Sequence, residues 1–221
     1  METKSITSAA KKLASTLFFL SAFYLIPLCL KPELLISWQV IFLAVICTVL
    51  FLSQPRLSFA ESKAQKNFDM NTIWLIISIS GMGQILSILE WAYFWDTRTV
   101  SMPITIFGMV LMIAGTAFRI YAIHCLGKFF STTVQIKKDH KVITKGPYRY
   151  LRHPSYTGAY MAMAGCAFFL GSVMGMIILT MGMLFVYRLR IEAEEKTLLQ
   201  NFKDEYAIYC MHTYKMFPLF W

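Results

Sequence analysis

PSYTGAYMAMAGCAFFLGSVMGMIILTMGMLFVY, residues 154–187, is a run of 34 residues without one formal charge. A helix crosses the hydrocarbon core of a bilayer in roughly 20 residues. At about 1.5 Å of rise per residue, this run is too long for a single crossing. Gly171-Ser172 sits at its middle, so the spacing predicts a tight helical hairpin with two short arms that dip into the bilayer or span it. Four shorter uncharged runs precede it, at 13–30, 34–55, 71–89 and 99–118. Lys31-Pro32-Glu33 is a short polar turn between the first two. The expected fold is all-α: a polytopic integral membrane bundle of five or six helices, with a C-terminal hairpin and an amphipathic cytoplasmic helix after it.

Composition supports this reading. Of 221 residues, 57% are hydrophobic and 15% charged, against about 25% charged in a soluble domain. That excludes a soluble globule, a disordered chain and a collagen-like rod. The net charge is +9, but the basic residues lie in loops rather than in one cluster with aromatics, which points to membrane orientation and away from nucleic acid. With the N-terminus in the cytoplasm, 18 of the 21 basic residues fall on the inner side. Lys31 and Arg98 fall outside, and Arg119 lies near the inner end of its helix. Trp91, Phe94 and Trp95, at the outer end of the third run, read as an aromatic belt. Residues 56–69 are polar enough for a surface loop or a helix lying on the membrane. Lys11 and Lys12 precede the first run, as in a signal peptide, yet no small-x-small cleavage site follows, so a retained helix is expected. The five cysteines, Cys29, Cys47, Cys125, Cys166 and Cys210, form no Cys-x-x-Cys pair. They read as small hydrophobes, not as a disulfide scaffold or a metal site.

The N-terminal half carries few reactive groups. Glu90 abuts a long run and reads as a carboxylate at the membrane rim. Polar and titratable residues gather from Gln135 to Glu205. The stretch Gly146-Pro147-Tyr148-Arg149-Tyr150-Leu151-Arg152-His153-Pro154-Ser155-Tyr156-Thr157-Gly158 is the most informative. Gly146-Pro147 marks a turn. A residue before proline is pushed towards extended geometry, so a helix starts at or just after Pro154 with its N–H groups facing the cytoplasm. Such an end suits a carboxylate or a hydroxyl-rich ligand, and Tyr148, Tyr150 and Tyr156 offer faces that attract a cation such as a sulfonium. The competing reading is a basic, aromatic loop that only anchors the chain at the interface.

A second cluster, Arg188-Leu189-Arg190-Ile191-Glu192-Ala193-Glu194-Glu195, lies where the hairpin re-emerges. Arg190 and Glu194 are four apart and share a helical face. Leu198, Phe202, Tyr206 and Tyr209 continue as one apolar stripe, so the helix is expected to run to about Tyr209 with that side buried or on the membrane. The competing reading is a salt-bridged interfacial helix, with Glu192 and Lys196 as one pair.

Taken together, the two clusters resemble the isoprenylcysteine carboxyl methyltransferase family and its bacterial and archaeal relatives. The resemblance covers roughly residues 129–209. It comprises Val134-Gln135, His140-Lys141-Val142-Ile143, Gly146-Pro147-Tyr148, Arg152-His153-Pro154-Ser155-Tyr156-Thr157-Gly158, Arg190 and Glu194-Glu195-Lys196-Thr197-Leu198, in that order. It implies S-adenosyl-L-methionine as methyl donor, bound by Gln135, His140, Lys141, Val142, Ile143, Tyr148, His153, Pro154, Ser155, Tyr156 and Glu194. It implies Arg190 as the holder of the substrate carboxylate, with Arg190 and Glu194 as the catalytic pair and no metal. The loop between Gln135 and His140 is short. Glu194 is expected to accept hydrogen bonds from the donor or to hold Arg190.

The partners implied are a lipophilic, isoprenylcysteine-like carboxylate from the bilayer and membrane lipids, with the active site facing the cytoplasm. Residues 1–125 would supply membrane helices, and 126–221 the donor-binding region and hairpin. Three alternatives stand beside this: a phospholipid or small-lipid N-methyltransferase, a sterol-reductase-like NADPH enzyme, and a non-enzymatic membrane protein.

Overall fold

A computed structural model describes residues 13–53, 67–94, 100–131 and 141–218. The described chain is helical. α1 spans Leu13–Leu25 and ends in a π-helical turn. A 3-10 turn at Pro32–Ile36 leads into α2, Trp38–Ser53. α3 is Asn67–Leu89, extended by a π turn over Glu90–Phe94. α4 is Met102–Leu126, and a 3-10 turn at Gly146–Arg149 precedes α5, Pro154–Leu170. α6 covers Val173–Met211 and contains a π turn at Ile178–Gly182. Three helices are long and apolar enough to cross a membrane: Asn71–Phe94, Met102–Phe129 and Val173–Met211.

The hairpin forms where expected, with unequal arms. Gly171 takes φ +63° and ψ 24°, the left-handed conformation that a residue with a Cβ disfavours. Its N–H bonds Phe168 O at 3.0 Å, and the Ser172 N–H bonds Ala167 O at 3.0 Å. This paired closure ends a helix sharply. The first arm has 17 residues. The second does not stop at Tyr187 but runs on as α6, because polar residues beyond it find partners in the site. α4 likewise continues past Phe118 and carries Arg119 in its inner turns.

Glu90 is packed inside the protein instead of standing exposed. It is 8% exposed, and its carboxylate receives Ser172 Oγ at 2.6 Å, the Val173 N–H at 3.2 Å and the Met174 N–H at 3.0 Å. Ser172 Oγ in turn accepts the Gly175 N–H at 2.9 Å. The first turn of a helix has N–H groups without intrahelical partners, and lipid offers none, so α3 supplies a carboxylate. Trp91 is not a belt residue either, at 2% exposure within the core of Leu28, Leu43, Ile88, Met112 and Phe169. Phe94 is exposed, and Trp95 lies outside the described residues.

α4 and α5 pack backbone against backbone. A Cβ placed at Gly108 would lie 2.2 Å from Phe169 N, and one at Gly115 would lie 2.6 Å from Ala162 N and from Gly158 O. Between apolar helices in lipid, such close approach supplies the packing that association depends on.

The C-terminal tail ties the segment after the Gly146–Arg149 turn to α6. The Tyr214 N–H bonds Tyr150 O at 3.0 Å, the Arg152 N–H bonds Tyr214 O at 2.8 Å, and the His153 N–H bonds Lys215 O at 2.9 Å. Thr157 Oγ1 donates to Met216 O at 2.8 Å. Arg152 reaches the carbonyls of Cys210 and Thr213. Glu195, on α6, closes the knot: it takes Arg152 Nε at 2.6 Å and His153 Nε2 at 3.2 Å on one oxygen, and Lys215 Nζ at 3.6 Å on the other.

The cysteines are free thiols; Cys47 and Cys166 are buried and Cys29 is exposed. Among the described residues, no cluster of His, Cys, Asp or Glu is arranged to hold a metal ion.

Two outcomes follow from this packing. Gly108→Val should lower the thermal midpoint of the detergent-purified protein sharply or abolish folding, since its side chain meets backbone that cannot yield; a wild-type melt would contradict the close contact. Glu195→Ala leaves the mostly buried Arg152 without its carboxylate and should cost on the order of 3 kcal/mol in denaturant titration.

Candidate active site

The segment Gly146–Gly158 and α6, braced by the tail, line one cavity of about 840 Å³. His153 is the last non-helical residue before α5, at φ −124° and ψ 52° with Pro154 next. The Tyr156 and Thr157 N–H groups bond His153 O at 3.0 and 3.2 Å. This fixes the first turn of α5, whose Ser155 carbonyl accepts Arg119 Nη1 at 2.8 Å from α4. Tyr148, His153, Ser155, Tyr156, Arg190 and Glu194 all line the cavity, as do Lys141, Val142 and Ile143. Pro154 is buried behind the wall, starting the helix. Gln135 and His140 lie outside the described residues.

Tyr156 stands between the two chemical groups of α6. Its hydroxyl donates to Glu194 Oε2 at 2.9 Å and accepts Arg190 Nε at 3.4 Å. A phenol can do both at once. Tyr156 therefore bridges Arg190 and Glu194 by hydrogen bonds. Arg190 Nη1 also donates to Thr72 Oγ1 of α3 at 3.0 Å. The Tyr156 ring packs against Tyr187, with centroids 5.0 Å apart, and against His153 at 5.7 Å. Burial, and next the nearby Glu194 carboxylate, push the Tyr148 phenol above its ordinary pKa. It stays a neutral phenol at physiological pH.

The apolar stripe faces the cavity and not the lipid: Leu198, Phe202, Tyr206 and Tyr209 all line it. The helix is not continuous through them. Lys203 takes φ 43° and ψ −117°, which divides α6 into two helical pieces. The second piece carries Tyr209, whose hydroxyl donates to Tyr148 O at 2.6 Å. On the outer face Glu192 pairs with Arg188 at 3.0 Å, in place of the expected Lys196.

Away from the polar end the wall is greasy, with Phe18, Phe19, Phe51, Trp74 and Ile77 from α1, α2 and α3. The cavity thus joins a basic, aromatic end to an apolar one. Thr72 and Arg119 escaped sequence reading as contributors, while Arg152 and Glu195 stood in its motifs without a role. Arg119 did carry a signal, as a charge in an apolar helix. Thr72 carried none.

Comparison with known proteins agrees with this geometry. The isoprenylcysteine carboxyl methyltransferase family model matches residues 107–200. The protein-S-isoprenylcysteine O-methyltransferase of Saccharomyces cerevisiae is 35% identical over 107 residues, covering 48% of this chain and 45% of the yeast protein. The Dictyostelium discoideum enzyme of the same name is 32% identical over 123 residues, covering 55% and 51%. The chain thus spans about half the length of these curated relatives. A solved structure of the eukaryotic intramembrane Ras methyltransferase ICMT superposes with a TM-score of 0.62 at 21% identity, covering 99% of this chain and 86% of that one. This likeness establishes a shared fold. Over residues 107–200, which include most of α4, all of α5 and the Arg190–Glu194 face, the chain is similar to the isoprenylcysteine carboxyl methyltransferase family.

Proposed function

We propose that the protein is a membrane methyltransferase that moves a methyl group from S-adenosyl-L-methionine to the carboxylate of a lipophilic, isoprenylcysteine-like acceptor. One observation carries this reading: the Tyr156 hydroxyl bonds Glu194 at 2.9 Å and meets Arg190 at 3.4 Å, on the wall of a cavity whose other end is apolar. The two polar segments of the sequence are a single site.

The polar end fits the donor by its chemistry. Tyr148 and Tyr156 present aromatic faces, which favour a cation, and Glu194 adds an anion. When bound, the donor supplies an electrophilic methyl group on a sulfonium. Lys141, Val142, Ile143, His153 and Ser155 would complete its pocket, and the family resemblance implies Gln135 and His140 as further donor contacts. Arg190 would hold the acceptor carboxylate. A carboxylate is already a nucleophile at neutral pH, so the site needs no strong base. It needs position and the exclusion of water. The guanidinium fork orients one oxygen. Glu194 stays off the acceptor and engages Tyr156. Phe202 and Tyr206 shield the polar end from water. An amine acceptor would find Arg190 a poor neighbour, which favours the acid.

The relatives' names supply the acceptor class, an S-isoprenylcysteine. The apolar wall from α1, α2 and α3 supports a tail entering from lipid. We place the site on the cytoplasmic face, because the positive-inside rule puts the basic loops there. Counting α1, α2 and the hairpin arms, the chain makes five or six membrane passages. Residues 1–125 serve as the membrane scaffold and lend Thr72 and Arg119 to a donor-binding region within 126–221.

A labelled-methyl assay against lipophilic acids, prenylcysteines and amino lipids tests the reading. Methyl transfer to the prenylcysteine acid is expected, and transfer only to amines would overturn it. Arg190→Ala should lower turnover at least about a hundredfold while donor affinity by calorimetry stays within about twofold. Tyr156→Phe and His153→Ala should each weaken donor binding about tenfold; unchanged affinity in both would count against the donor site.

A further inference from the structure

A guanidinium can grip a carboxylate with two parallel N–H groups only if the plane of its fork is held. Arg190 reaches the cavity on a long side chain with many rotamers. Among its partners are two neutral oxygens at different corners of the fork: Tyr156 Oη at Nε, 3.4 Å away, and Thr72 Oγ1 at Nη1, 3.0 Å away. The Thr72 contact is the shorter. Arg190 and Thr72 are each 2% exposed, so water is poorly placed to replace that bond.

Thr72 stands on α3, 118 residues from Arg190 and outside the family-matched segment 107–200. Arg190 lines the cavity and Thr72 does not. Its hydroxyl thus meets the cavity's chemistry through the Arg190 guanidinium. The chemistry of the hydroxyl suits that contact. It accepts an N–H without itself neutralising the cation. A carboxylate at position 72 would compete with an incoming anion. A β-branched side chain on a helix also has few χ1 states, so the hydroxyl is a stiff reference point.

We propose that Thr72 is a positioning residue that sets the plane of the Arg190 fork and thereby the affinity for the acceptor's carboxylate. This rests on the reading of Arg190 as the acceptor's anchor. The N-terminal helices then complete the site in addition to crossing the membrane.

The test is equilibrium binding to the full-length protein in nanodiscs. Its probes are N-acetyl-S-farnesylcysteine, the methyl ester of that compound, and S-adenosyl-L-methionine. Thr72→Val should weaken the acid about tenfold and leave the ester and the donor within about twofold. Thr72→Ser should restore the acid to within about threefold of wild type. Wild-type affinity of Thr72→Val for the acid, with Arg190→Ala losing it, overturns the role of Thr72 alone. Equal loss of acid, ester and donor in Thr72→Val overturns it too, by revealing a merely structural residue. Undiminished acid binding by Arg190→Ala overturns the anchor reading itself.

Discussion

Successive residues on an α-helix point about 100° apart, and α6 depends on that angle at Glu194 and Glu195. Glu195 turns towards Arg152, His153 and Lys215 and binds the tail and the Gly146–Gly158 segment to the helix. Glu194 turns into the cavity and takes the Tyr156 hydroxyl. The first helps to keep Tyr156 and Arg190 within reach of each other. A buried pair of this kind adds little net stability over an apolar substitute, but losing one partner is expensive. It acts chiefly by fixing which surface of α6 meets which loop. The tail adds a short backbone ladder to the same junction, through Tyr214 and Lys215.

The surrounding bundle answers to lipid. Helices cannot associate there by hiding oily surface from water, so α4 and α5 approach until their backbones touch at Gly108 and Gly115. Polar backbone must be satisfied from within the protein. The hairpin turn meets this requirement with Gly171, Ser172 and a carboxylate borrowed from α3. Glu90 is therefore a helix cap, placed 82 residues from Ser172 in sequence. These two devices hold the α5–α6 hairpin against α3 and α4, and so set the walls of the cavity.

The cavity's chemistry is divided along its length. One end carries phenols, a carboxylate and three guanidinium groups, while the other is built from phenylalanine, tryptophan and isoleucine. A ligand that fits both ends must itself be amphipathic. The Tyr156 phenol bridges Arg190 and Glu194 without changing the charge at the polar end, and burial pushes the Tyr148 phenol further above its ordinary pKa.

Local chemistry wrote much of this in the sequence. The long uncharged runs made a membrane bundle unavoidable, Gly171-Ser172 marked the turn, and the four-residue spacing of Arg190 and Glu194 put them on one face. Those signals are short-range, arising from helical period, backbone propensity and hydropathy. What the sequence could not reveal came from contacts between distant segments. Glu90 read as a rim residue because its three partners lie past residue 170. Trp91 read as a belt residue because the core that covers it is assembled from other helices. The break at Lys203 has no local cause in composition. Thr72 looked like any threonine in an apolar helix until α6 delivered a guanidinium to it. Sequence thus determined which groups were present and which helix faces carried them. Tertiary packing alone decided which of them met, since a hydrogen bond is made or lost within an ångström, and only the assembled bundle sets distance that finely.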